Sequence, residues 1–260
     1  MLSERDIKKA VLHKLLPQAL AQDAVVVSEM VVGKADRRAD LVVANGHLHA
    51  IEIKSDLDSL RRLEGQMAVY LSRFDKVTLV LSSKFVEHAL AHSPDRVAVW
   101  EATETRGGVT RLRVRRPGRL EPITDKAALC DFLLKSELVQ IVKSRDAIGK
   151  TSNLSRCELV KFAETLPLAF IRREVLSSVK TRYRDTFAGY VGGVGGDQQQ
   201  PPNVDDLSRV ALKRKAAMLV QDAQRKPPHY ERRPLNLLRF FPDGDIPEGM
   251  PTHVLVPTVN

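Results

Sequence analysis

The stretch that decides the fold runs from residue 39 to residue 54 and reads ADLVVANGHLHAIEIK. Its two halves, ADLVVA (39–44) and LHAIEIK (48–54), are short, apolar and rich in β-branched residues, as strands are. Asn45-Gly46 lies between them, and this dipeptide is the strongest short-range signal for a β-hairpin. The sequence therefore predicts two neighbouring antiparallel strands.

Three charged residues of this stretch indicate chemistry. Glu52 and Lys54 are two apart in a strand, so their side chains share one face. For an isolated pair the ordinary explanation is a salt bridge at a strand end. Asp40 changes this, because arms of similar length on either side of the turn bring it close to Glu52. Two adjacent carboxylates repel unless a cation lies between them, and carboxylates suit Mg²⁺ or Mn²⁺.

The flanking sequence predicts alternating helices and strands. A helix over 3–17, with Ser3 as its N-cap, precedes a strand, VVVSEMVV (25–32). The residues after Lys54 change to helical spacing. The remaining predicted elements are a helix within 59–74, a buried strand at 76–82, a helix at 84–92 and strands at 96–102 and 109–116. The predicted fold class is α/β.

From about residue 124 the spacing is helical, over 124–143, 155–166 and 168–187, with Pro167 separating the last two. A glycine- and glutamine-rich stretch follows and predicts a flexible linker. One more helix and a proline-rich tail end the chain. The predicted regions are a domain at 1–120, a helical region at 121–188, the linker at 189–203, and a helix with tail at 204–260.

The spacing Asp40, eleven residues, then Glu52-Ile53-Lys54 resembles the motif of the PD-(D/E)XK nuclease superfamily. Ala39 takes the place of the proline of that motif. The next predicted helix carries Gln66 and Tyr70 as Gln-x-x-x-Tyr, similar to the additional motif of RecB-type members. The resemblance implies a restriction-endonuclease-like core, in the order helix, three-strand meander, helix, strand, followed by a helical C-terminal region.

The resemblance also implies an activity: a metal-dependent DNA endo- or exonuclease that hydrolyses phosphodiester bonds in DNA repair, restriction or antiphage defence. A Mg²⁺ or Mn²⁺ ion would lower the pKa of a bound water, and Lys54 would help to orient that water. Gln66 and Tyr70 would support the site. The implied catalytic residues are Asp40, Glu52, Lys54, Gln66 and Tyr70, and the implied metal ligands are Asp40, Glu52, the Ile53 carbonyl and Glu29.

The net charge of +9 and the isoelectric point near 9.7 favour a polyanionic partner, with DNA first. Arginines on alternating positions of the last predicted strand form a candidate phosphate-binding stripe. The ordinary explanation for each basic residue is a solvated surface charge. The candidate nucleic-acid-binding residues are Lys34, Arg37, Arg38, Arg61, Arg62, Arg111, Arg113 and Arg115.

Two functions other than a nuclease are also compatible with the sequence. The same fold would also suit a catalytically inactive nucleic-acid-binding module or a protein-interaction module, with a homo-oligomer or a protein partner held through the C-terminal region. Intact Asp40, Glu52 and Lys54 argue for the enzyme. No apolar run is long enough for a membrane span, and the charged N-terminal stretch and the two cysteines favour a cytoplasmic protein.

Overall fold

The computed structural model describes residues 1–32, 37–145, 154–195, 203–224 and 230–257. The chain divides into two compact units, Met1–Leu212 and Lys213–Asn260. The first contains both the predicted domain at 1–120 and the predicted helical region at 121–188. Lys34 lies outside the described residues.

A six-stranded mixed sheet forms the centre of the first unit, with its strands in sequence order. The first three strands are antiparallel, the third to fifth are parallel, and the sixth returns antiparallel. The strands are β1 (Val25–Val32), β2 (Arg37–Ala44), β3 (Leu48–Lys54), β4 (Lys76–Ser82), β5 (Ala98–Glu104) and β6 (Thr110–Arg116). The α/β class is confirmed.

The β2–β3 hairpin has the predicted antiparallel pairing. Ala44 pairs with Leu48 and Leu41 with Ile51, so residues 45–47 make the turn. Gly46 has a φ of +100°, a conformation in which a Cβ would be strained. The Asn-Gly signal therefore located the turn, and the turn sets which residues of the two strands face one another.

Helices cover both faces of the sheet, as a buried parallel segment requires. Helix α1 (Glu4–Ala21) has the predicted N-cap, because the Ser3 side chain accepts a hydrogen bond from the Asp6 N–H, and it continues four residues past Pro17. Helices α2 (Leu63–Leu71) and α3 (Ser83–His92) lie in the connections between the parallel strands. Strand β4 is buried along its length apart from its half-buried first residue, as its apolar run predicts.

The helical region contains more elements than the sequence indicates. The segment 124–143 forms two helices, α4 (Lys126–Cys130) and α5 (Lys135–Lys143), because Phe132 and Leu133 turn into the core between them. Helix α6 (Arg156–Glu164) and helix α7 (Leu168–Gly195) follow, separated near Pro167 as predicted. Helix α7 extends seven residues into the segment predicted as a linker, and residues 196–202 lie outside the described part.

A 3₁₀ turn (Val204–Leu207) and helix α8 (Arg209–Gln224) come next. The second unit contains a two-stranded antiparallel pair, β7 (Tyr230–Pro234) with β8 (His253–Pro257), and a 3₁₀ turn at Leu237–Arg239. This tail shows no periodicity in the sequence, because two five-residue strands are too short to show one. Within the described residues, none of the helices combines the length and the apolar character of a membrane span.

Candidate functional site: the Glu52 network

The predicted site residues meet where β3 passes under helix α2. Alternation along β3 puts Glu52 and Lys54 on one face, toward α2. His49, Ile51 and Ile53 point to the other face, where α1 lies. Gln66 and Tyr70 are four apart in α2 and so share the helix face that lies over Glu52. The structure therefore brings together the side chains that the motif connects in sequence.

The Glu52 carboxylate is the centre of a hydrogen-bond network and is only 1% exposed. Its Oε1 accepts from Lys54 Nζ at 2.6 Å and from Gln66 Nε2 at 2.5 Å, and its Oε2 accepts from the Tyr70 hydroxyl at 2.9 Å. A buried carboxylate without such partners would be strongly destabilising. Both oxygens are thus occupied by donors of the protein itself.

The neighbours of Glu52 keep the protonation states that this network needs. Burial, reinforced by the charge of Glu52, raises the pKa of the Tyr70 hydroxyl, so it stays a donor. Burial alone would lower the pKa of Lys54, but the charge and hydrogen bond of Glu52 outweigh it and raise that pKa. The Tyr70 hydroxyl also lies 2.8 Å from the Arg38 carbonyl, which connects α2 to β2.

Asp40 lies beside this network and is held by the main chain. Its Oδ2 accepts a hydrogen bond of 2.7 Å from the Ile53 N–H. Burial raises the pKa of Asp40 well above its usual value, and the charge of Glu52 raises it further, against the opposing effects of the Ile53 N–H and Lys8. The antiparallel register, with Leu41 opposite Ile51, puts Asp40 opposite Glu52, as the hairpin predicts.

Glu29 of β1 lies opposite Asp40 of β2 and has an unusual backbone conformation. Ser28 pairs with Leu41 and Met30 with Ala39, so Glu29 stands opposite Asp40 in a continuous register, and its φ of +60° is rare for a residue with a Cβ. Its carboxylate pairs with Lys8 Nζ at 2.7 Å and with the Arg38 guanidinium. Strain of this kind persists only where surrounding contacts maintain it.

The carboxylate cluster in the described part of the chain overlaps the predicted metal ligands only in part. Oxygens of Glu4, Glu29 and Asp40 lie within 4.8 Å of one another, and Glu4 was not predicted. Glu52 belongs instead to its own hydrogen-bond network. The Mg²⁺ or Mn²⁺ ion, and the Ile53 carbonyl as its ligand, stay predictions.

The predicted nucleic-acid-binding residues separate into two places. Arg37 and Arg38 begin β2, and Arg61 and Arg62 directly precede α2, so these four lie in or next to elements that form the Glu52 network. Arg38 is paired with Glu29. The other three lie on β6, at the far edge of the sheet.

The β6 arginines do not form one uniform stripe. Arg115 pairs with Glu87 and Glu101, at 2.9 and 3.0 Å. Arg111 and Arg113 are exposed, and in the described part of the chain neither forms an ion pair. They are therefore the arginines of this strand that are available to an external anion.

A groove between α1 and the β5–β6 hairpin adds basic residues that the sequence did not reveal. It has a volume of 650 Å³, and α1 contributes Lys9, His13 and Lys14 to it, while the hairpin contributes Gly108–Leu112. Asp6 is its acidic lining residue. The spacing of these three basic residues on one helix was visible in the sequence, but which strand they face depends on the tertiary structure.

Most of the chain is similar in sequence to a known protein family. Residues 1–210 match the family model described as Bacteriophage P4 protein cII. A curated relative, Protein cII of Enterobacteria phage P4, is 36% identical over 222 residues, which cover 85% of this chain and 83% of the relative. A solved protein of unknown function from Silicibacter pomeroyi is similar over 59% of this chain and 99% of its own, with 16% identity and a TM-score of 0.37, too low to establish a shared fold.

These matches overturn the nuclease assignment. The family model covers the residues that carried the resemblance, and it is the model of protein cII and not of a PD-(D/E)XK nuclease. The predictions of a nuclease, a hydrolase and a phosphodiesterase activity are therefore wrong. Intact Asp40, Glu52 and Lys54 had argued for an enzyme, but their hydrogen bonds give them a structural reason to be present.

Proposed function

Because the chain belongs to the bacteriophage P4 protein cII family, we propose that it is a non-catalytic protein that binds DNA through its α1–β6 surface. We define this surface as Lys9, His13, Lys14, Arg111 and Arg113. The single observation that supports the proposal is the basic groove between α1 and β6, which Arg111 of the edge strand lines; Arg113 is two residues further along the same strand and is exposed.

The chemistry of the α1–β6 surface suits a phosphate backbone. Lysine and arginine neutralise phosphates and release counterions, which supplies most of the affinity in binding that does not depend on sequence. Other basic residues of the molecule are already paired: Arg172 with Asp75, and Lys180 and Arg184 with Asp23. In the described residues, Lys9 and Lys14 form no ion pair with a carboxylate, so binding DNA would break none.

In this proposal the Glu52 network has a structural role. It joins β3 to α2 and, through Tyr70, to β2, and so maintains the sheet whose edge carries β6. The order helix, three-strand meander, helix, strand supports a restriction-endonuclease-like core as a proposal for the fold.

The test is the binding of duplex DNA, measured as the fluorescence anisotropy of a labelled oligonucleotide at fixed salt. Replacing Lys9, Arg111 and Arg113 together by alanine removes three charges of the surface. We expect the dissociation constant to rise about 10- to 100-fold, because each phosphate contact contributes a large electrostatic share of the affinity.

The matched control replaces Lys135, Lys143 and Lys161, three exposed lysines of α5 and α6, by alanine. It lowers the net charge by the same amount and should change the dissociation constant less than threefold. Equal weakening in both triple variants would reduce the effect to net charge and contradict the assigned surface. Absence of DNA binding by the unaltered protein at low salt would contradict the function itself.

A further inference from the structure

A second basic cavity lies on the α1 face of the sheet, about 310 Å³ in volume. Helix α1 and the β2–β3 hairpin form its sides, and β4 and β5 form its floor. A volume of this size is at the small end of the range for ligand sites. The residues of interest in its lining are Lys14, Asn45, His47, His49, Lys76 and Trp100.

The charge of this cavity is positive. Lys14 and Lys76 are its charged lining residues, and in the described part of the chain neither pairs with a carboxylate. Burial lowers the pKa of His47 against the opposing charge of Asp75, with help from Lys76 and Arg172. Burial, with Lys76, brings the pKa of His49 to about 3. Both histidines are therefore neutral at pH 7, and each carries one ring N–H as a donor.

Two polar groups of the lining have unused hydrogen-bonding capacity. His49 bonds Thr78 through Nε2 at 2.7 Å, and no described residue bonds its Nδ1. Asn45 donates through Nδ2 to Gln22, while its buried Oδ1 has no partner among the described residues. A buried acceptor without a partner is uncommon and indicates that a group from outside completes it.

Trp100 adds a flat apolar surface. It is 92% buried, and the Lys14 ammonium lies 5.6 Å from its ring centroid. An ammonium over an aromatic ring, with a second ammonium from β4, offers an anion site bordered by an apolar surface. Neither an apolar ligand nor a cation would satisfy this lining.

We propose that this cavity binds a phosphate group carried by a nucleotide, with Lys14 and Lys76 neutralising the phosphate and Trp100 and Asn45 contacting the remainder. A free mononucleotide and the 5′-terminal phosphate of a DNA strand share this chemistry. The inference goes beyond the proposed function, because Lys76, His47 and Trp100 lie outside the α1–β6 surface and Lys14 alone borders both.

The experiment uses the full chain and three probes: inorganic phosphate, a 5′-nucleoside monophosphate and the corresponding nucleoside. Trp100 is the single tryptophan of the chain, so its emission reports on the cavity when phosphate, which does not absorb, is added. Calorimetry measures the two absorbing probes. We expect saturable binding of the monophosphate, weaker binding of phosphate, and at least tenfold weaker binding of the nucleoside.

The informative variant is Lys76→Ala, with Lys135→Ala as the control for loss of one charge. Lys76→Ala should weaken monophosphate binding about tenfold or more, because a charge-assisted contact is lost, while its circular dichroism stays unchanged. Tighter binding of a 5′-phosphorylated than of a 5′-hydroxyl oligonucleotide would assign the site to strand ends; preference for the free monophosphate would assign it to a soluble nucleotide.

Four results would each overturn the proposal. Two concern the probes that carry phosphate: no saturable binding of any of them at millimolar concentration, or a nucleoside that binds as tightly as its monophosphate. The other two are sulfate that binds as tightly as inorganic phosphate, and a Lys76→Ala protein with unchanged affinity for the monophosphate. The Lys9, Arg111 and Arg113 triple variant keeps the cavity lining intact. It should bind the monophosphate normally even where DNA binding is lost, so the two proposals fail independently.

Discussion

At the scale of residues, Glu52 shows which contacts of a sequence motif can be predicted and which cannot. The sequence predicts that Glu52 and Lys54 share a face and that Gln66 and Tyr70 share another, because strand and helix periods are fixed by backbone geometry. The structure adds that the two faces meet, so one carboxylate accepts hydrogen bonds from all three other side chains. The proximity of these four side chains was predictable from the sequence. That the three donors occupy both oxygens of the Glu52 carboxylate was not.

Removing one donor from Glu52 should destabilise the fold. Tyr70→Phe leaves Glu52 Oε2 and the Arg38 carbonyl without the hydroxyl, and we expect the free energy of unfolding to fall by about 1–3 kcal/mol. Urea denaturation at pH 7 measures it. Tyr183→Phe is the control, since no described hydrogen bond involves that half-buried hydroxyl, and it should change stability by less than about 0.5 kcal/mol. Equal losses in both variants would contradict the network.

The raised pKa of Asp40 makes stability depend on pH in a defined direction. A carboxyl whose pKa is higher in the folded state favours folding when protonated, and this contribution is lost as the pH rises through the folded pKa. Asp40→Asn removes the charge and keeps an acceptor for the Ile53 N–H. We therefore expect the variant to be more stable than the original protein at pH 7, and the difference to vanish below about pH 3.9, the ordinary aspartate pKa.

Asp23→Asn provides a control of opposite sign. The hydrogen bond and charge of Lys180, with Arg184, lower the pKa of the exposed Asp23 carboxyl. Its contribution is therefore present at neutral pH and lost in acid, so the variant should lose a little stability at pH 7. Urea denaturation between pH 3.5 and 8 follows both variants. If the Asp40→Asn variant were less stable than the original protein at pH 7, the ionised form of Asp40 would stabilise the fold, contrary to this prediction.

At the scale of elements, short strands were located well and the end of α7 was not. Strands β1, β3 and β4 have the predicted bounds, because each is an apolar run closed by turn residues. The glycines at 189, 192 and 193 suggested a linker, since glycine weakens helices. Tyr190 is buried and packs in the core, which outweighs that preference and carries the helix to Gly195.

Helix and linker make opposite predictions for these glycines. Gly189 and Gly192 have open space where a Cβ would stand, and neither has a positive φ. Replacing both by alanine should therefore stabilise a helix, by about 0.5–1 kcal/mol for each position. Thermal denaturation measures this. Gly46→Ala, at a φ of +100°, is the contrasting variant and should lower the melting temperature. An unchanged melting temperature in the double variant would favour a linker.

At the scale of the whole molecule, the proposed function depends on the net charge and on family membership. The net charge of +9 indicates a polyanionic partner without saying where it binds. Much of the basic charge of α7 is paired with carboxylates, so the exposed basic residues of α1 and β6 account for the proposed surface. The same positive field around α1 also reaches the smaller cavity beside Trp100.

DNA binding through the α1–β6 surface should depend steeply on salt. The logarithm of the association constant falls linearly with the logarithm of salt concentration, with a slope set by the number of phosphates neutralised. The triple variant at Lys9, Arg111 and Arg113 should reduce the magnitude of this slope by about 2–3. Titrations at several sodium chloride concentrations give the slopes. A slope that the variant leaves unaltered would place the contacts elsewhere.

The sequence by itself determined the hairpin, most strand and helix positions, and the proximity of Asp40 to Glu52, since backbone periodicity and turn chemistry act over a few residues. Only the tertiary structure decided which atoms Glu52 bonds, that Glu29 has a positive φ opposite Asp40, and that Lys9 and Lys14 face a groove and a cavity. These depend on packing between segments far apart in the chain. The same limit explains the functional error: a motif of five residues specifies a local geometry, which a structural network can use as readily as an active site.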